Sequence, residues 1–137
     1  MSASVDGIAA LQRKLEAIAS GSFKHDLYDR IGRRLHALVQ QGWDSESDPY
    51  GDPWAPTTRA NPILDETGAM RGSSTYEVTA EGITFTVADW KAAFHQYGTS
   101  RGIVPRKMLP DEGVPVAWQA VIQDEVTAFF RETFGTD

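Results

Sequence analysis

Apolar residues recur at helical spacing in several stretches of the chain and alternate with polar ones in one. Between residues 4 and 20, Ile8, Leu11, Leu15 and Ile18 form a single stripe, the pattern of an amphipathic helix with Gly21 as its stop. Ser22 is placed to cap a second helix, in which Phe23, Leu27, Ile31, Leu35 and Leu38 keep the same period until Gly42 ends it. Residues 63–72 read as one short helical turn. The period then drops to two. Tyr76, Val78 and Ala80 alternate with Thr75, Glu77 and Thr79, and Ile83, Phe85 and Val87 alternate with Thr84 and Thr86. Two such runs around Glu81-Gly82 predict a β-hairpin over about residues 74–88. Asp89 suits the cap of a short helix over residues 90–97, closed by Gly98. Pro115 suits the start of a last helix, whose stripe of Trp118, Ile122, Val126 and Phe129 is widened by Val121, Phe130 and Phe134. The expected fold is α+β: an antiparallel hairpin packed against N-terminal and C-terminal helices, with long Pro-rich loops, all in one domain over 1–137.

Those loops carry the least ordinary sequence. Residues 42–56 read GWDSESDPYGDPWAP, and the segment 43–62 holds Pro49, Pro53, Pro56 and Pro62 as well as Gly51. Each proline sets its own φ and biases its predecessor away from helix. An irregular segment of this length inside a compact domain is usually functional. Asp44, Glu46 and Asp48 at alternate positions suggest a calcium loop, but an EF-hand starting at Asp44 needs glycine sixth and glutamate twelfth. Pro49 and Ala55 stand there. The carboxylates are therefore read as turn-starting and solvated groups. A second loop spans 99–113, with Gly102, Pro105, Pro110 and Gly113.

Composition narrows the chemistry. The 137 residues contain no cysteine, which excludes a disulfide scaffold, a cysteine zinc site and a thiol nucleophile. No apolar run approaches a membrane span, and MSASVDGIAALQ lacks the form of a signal peptide, so no membrane association and a cytoplasmic site of synthesis are expected. The net charge of −6 opposes tight nonspecific binding to nucleic acid. The cationic cluster of Arg30, Arg33 and Arg34 could touch phosphate or form salt bridges between subunits. His25 and His36 stand about 16 Å apart on a helix, too far to share a metal. His95 has no accompanying nucleophile or second histidine at informative spacing, and a structural imidazole is the simpler reading. Adjacent carboxylates such as Asp124 and Glu125 point in different directions on a helix. No glycine pattern forms a phosphate cradle. No catalytic constellation, metal site or cofactor is expected. The aromatic residues that accompany the turns, Trp43, Tyr50, Trp54, Trp90, Phe94 and Tyr97, suit either a core or an interface.

The order of short motifs adds a resemblance. DPYGDPWAP, ILDETGAMRGS, a Thr/Val-rich hairpin, AAFHQYGT and IVPRKMLP follow one another ahead of the last helix. This order is similar to that of the phage virion morphogenesis family, the Mu-like tail completion proteins, with their PxGxxWxP, ILxxTGxLxxS, YAxxHQxG and IPxRxxL segments. The likeness covers roughly residues 25–134. The chain departs from it in a short TTRANP stretch, in Met70 for the leucine, in Ala92 near the usual tyrosine, and in one extra residue within Ile103-Val104-Pro105-Arg106.

The resemblance implies a structural protein rather than an enzyme. It would be a tail completion or neck protein that joins the tail to the DNA-filled head as a ring of identical subunits, about six by the symmetry of such tails. It would be assembled in the host cytoplasm and contact other neck, connector and tail tube proteins, with DNA passing nearby but not held tightly. A tail terminator is the alternative within the same particle, and a small DNA-binding module the alternative from another class. The expected interface residues are Tyr50, Trp54, His95, Tyr97, Ile103, Arg106 and Leu109.

Overall fold

The computed structural model describes residues 21–57, 63–65 and 67–135. The helix expected over residues 4–20 lies outside the described residues.

Helix α1 spans Ser22–Ser45 and buries Leu27, Ile31, Leu35, Val39 and Trp43, one residue per turn along a single i, i+4 row. Phe23 and Leu38 pack beside this row, partly buried. Two expected boundaries need correction. Gly21, in the left-handed region at φ 87°, is the residue before the helix, and Ser22 is its first residue. Gly42 does not stop the helix. Its carbonyl instead accepts the N–H groups of Glu46, the left-handed cap at φ 52°, and of Ser47. That double closure satisfies a carbonyl that the helix end would leave orphaned. A Cβ on Gly42 would lie 3.1 Å from the Ser47 carbonyl, so the closure favours glycine here, three residues before the helix ends.

Helix α2, Ala69–Gly72, is the expected single turn. Strands β1, Ser74–Thr79, and β2, Gly82–Val87, pair antiparallel, with Tyr76 opposite Phe85 and Val78 opposite Ile83. The turn is Ala80-Glu81, one residue earlier than expected, because Gly82 pairs with Thr79 inside the ladder. Helix α3, Ala92–Tyr97, starts two residues later than expected. The Asp89 carboxylate accepts the Lys91 N–H (2.9 Å) and the Asp89 carbonyl accepts the Ala92 N–H (3.0 Å), so residues 89–91 form a turn that leads into the helix. Gly98 closes it as expected, at φ 74°. Helix α4, Val116–Phe134, follows Pro115, which is fully buried.

The molecule is thus helices around a two-stranded antiparallel sheet, an α+β fold. The hairpin lies on α1 at Gly32, where an added Cβ would come within 2.6 Å of the Tyr76 ring. Helices α1 and α4 run antiparallel. Phe23 meets Phe129 at 4.8 Å between ring centroids, and Arg34 reaches Glu125 at 3.1 Å. Trp118 at the other end of α4 packs on Phe85 of the hairpin. Trp54 and Met108, from the two long loops, complete the core with Trp43 and Met70.

Candidate functional site

The two long loops are bonded to each other, and Asp48 starts that arrangement. One oxygen of its carboxylate accepts the N–H groups of Tyr50 and Asp52, both at 2.9 Å, while its own N–H donates to the Asp52 carbonyl at 2.8 Å. An isolated bridge between Ser47 and Pro53 narrows the base of the turn. Glu46 accepts the Ile63 N–H, and Asp44 pairs with Arg71 at 2.8 Å. The three alternating carboxylates therefore each have partners of their own. Among the described residues no group of three or more histidine or carboxylate side chains is arranged to hold a metal.

Held in this shape, the first loop presents side chains to the second. The Tyr50 hydroxyl accepts the N–H groups of Asp111 and Glu112, at 3.1 and 2.8 Å, and donates to the Gly113 carbonyl at 2.9 Å. Trp54 is buried and donates its indole N–H to the Lys107 carbonyl at 2.8 Å. Arg106 returns the contact, donating to the carbonyls of Ala55 and Pro56 at 2.8 and 3.0 Å. Lys107 pairs with Asp111 at 3.1 Å, and the hydrogen bond to that carboxylate holds the ammonium above its ordinary pKa.

Helix α3 anchors this pair of loops from beneath. Gln96 is buried. Its amide oxygen accepts the N–H groups of Met108 and Leu109, and its amide nitrogen donates to the Leu109 carbonyl at 2.7 Å. The His95 carbonyl accepts the Arg106 N–H at 2.6 Å. The backbone at Gly98 passes so close to Ile103 and Pro105 that a Cβ would meet them at 2.8 and 2.9 Å.

Of the seven expected interface residues, the structure gathers six in this framework. Trp54 is internal, Leu109 packs partly buried on the core, and His95, Ile103 and Arg106 are half-buried. Tyr50 sits at the edge of exposure. Tyr97 alone is turned outward, 68% exposed. Gln96 is the residue that sequence reasoning passed over. Its signal was an amide on the buried side of a short helix beside a glycine stop.

The arginine cluster is occupied within the subunit. Arg30 bonds Glu125 and Glu132, Arg34 bonds Glu125, and Arg33 bonds Asp29. The hydrogen bond from Arg30 holds the Glu132 carboxyl below its ordinary pKa, and those from Arg33 and Tyr76 do the same for Asp29. The Arg30 and Arg34 pairs tie α1 to α4, the Arg33 pair lies within α1, and together they leave little of this cluster free for phosphate.

No curated protein and no solved structure matches the chain. The sequence profile of the phage virion morphogenesis family matches residues 6–122, which include α1, the hairpin, α3 and both bonded loops. By that match the chain belongs to the phage virion morphogenesis family.

Proposed function

We propose that the protein is a tail completion protein of the virion neck, acting as a structural joint between tail and DNA-filled head through a ring of identical subunits. Family membership over most of the chain carries this reading. The mutually bonded loops support it, because side chains held in place before assembly lose little entropy when a partner docks. Arg30, Arg33 and Arg34 are paired with carboxylates inside the subunit and the chain carries a charge of −6, which suits a wall beside DNA that does not grip it.

Electron microscopy of particles made without this gene tests the reading. Filled heads and tails of normal length, separated from one another, are expected. Tails of uncontrolled length would favour the tail terminator alternative. Joined, infective particles in normal yield would contradict both.

A further inference from the structure

Two apolar features of the surface are left over by the core and by the bonded loops. The first is a projection. Helix α3 turns Ala92 and Gln96 inward, whereas Trp90, Phe94 and Tyr97 are 77%, 44% and 68% exposed. Trp90 and Phe94 stand edge to face, 6.1 Å between ring centroids. The second is a hollow of about 350 Å³ between the end of α1, the turn at 47–51 and the start of α4. Leu38, Pro49, Tyr50, Val116 and Trp118 wall it, and Val116 at its rim is 82% exposed. The two features share no residue.

We infer that the Trp90–Phe94 projection of one copy seats in the Val116–Trp118 hollow of the next. This inference rests on the ring reading above and names the contact that would build the ring. A ring needs one surface of each subunit to meet a different surface of its neighbour, and these patches form such a pair. Their shapes correspond: an aromatic pair stands proud on one side, and an open apolar hollow large enough for an aromatic ring lies on the other. Their charges correspond too. Lys91, beside the projection, is exposed and in no ion pair among the described residues, while the neighbouring Asp89 carboxylate is turned back onto the Lys91 N–H. Asp48 lines the hollow, with the exposed Asp52 beside it. Indole anchors dominate many protein contacts, and adjacent opposite charges set register and approach.

The test uses the purified full chain in sedimentation velocity, together with Trp90→Ala and Val116→Arg, which sets a bulky cation against the partner's Lys91. Both substitutions are at exposed positions, and arginine is a good helix former, so folding should be kept and is checked by circular dichroism. The wild-type chain should self-associate as concentration rises, less so at high salt. Each variant alone should associate at least about tenfold more weakly. A mixture of the two should regain a dimer and nothing larger, because the intact projection of the Val116→Arg copy fits the intact hollow of the Trp90→Ala copy. Unchanged association of either variant overturns the contact, as does failure of the mixture to form that dimer. A wild-type chain monomeric up to about 1 mM overturns it as well. Those outcomes leave the ring reading to be judged separately, on particles made without the gene.

Discussion

At the scale of single residues, the side chains that matter most are those that hold the loops. Gln96 satisfies three backbone groups with one amide. Replacing it by leucine keeps the volume but leaves buried donors and an acceptor unpaired, so Gln96→Leu should cost about 2–3 kcal/mol in denaturant unfolding. Gly98→Ala is expected to cost about 2 kcal/mol or more, because the new Cβ meets the Ile103 carbonyl and the rigid ring of Pro105 in a left-handed backbone. A melting temperature within about 2 °C of wild type for either variant would contradict these roles. Neither role was plain in the sequence. Trp43, Tyr50, Trp54 and Trp90 are all aromatic residues near turns, yet the fold buries Trp43 and Trp54, half-uses Tyr50 and leaves Trp90 out. What separates them is the docking of one loop on another, a contact between positions some fifty residues apart, which no local pattern carries.

At the scale of elements, periodicity was informative and boundaries were not. The alternation from Ser74 to Val87 identifies the hairpin and its faces, since side-chain direction repeats every two residues. It does not say where the turn closes. Closing at Glu81-Gly82 would slip the register by two residues and keep every face, so alternation cannot separate it from the observed Ala80-Glu81. Gly42 misled for a related reason: glycine suggests a helix end, but here it serves the closure of a turn that ends three residues later. The pairing of α1 with α4 leads to a prediction about acid. Asp29 and Glu132 have pKa values lowered by arginine hydrogen bonds, as does Asp44 through Arg71. The unfolded chain therefore binds protons more readily than the folded one, and stability falls as pH falls. The loss should begin as pH drops through the ordinary values of 4.5 for Glu132 and 3.8 for Asp29 and Asp44, and finish below their lowered values. Melting temperatures measured from pH 6 to pH 3 should decline through that range, more steeply for wild type than for Arg30→Met. Equal slopes would show that the α1–α4 ion pairs contribute nothing to acid sensitivity.

At the scale of the whole molecule, charge bears on the proposed place beside DNA. With −6 formal charge and Arg30, Arg33 and Arg34 held by carboxylates, the free subunit should bind duplex DNA more weakly than about 1 μM at physiological salt. Fluorescence anisotropy checks this, and tighter binding with a steep salt dependence would revive the DNA-binding reading. The order of four short motifs was enough to indicate the family from the sequence, because each marks a piece of the same framework: the Asp48–Trp54 turn, the α2 segment, the Gln96 helix and the Arg106 loop. The proposed partners were not legible in the residues, since a contact with another chain leaves no periodic pattern within this one. The central claim, that this chain joins head to tail, is tested most directly by a cryo-electron microscopy map of the neck of the mature virion. The account predicts a closed ring of about six copies, each with the fold described above, between the head connector and the tail tube. A neck that contains no density for this fold, in virions otherwise complete, would contradict it.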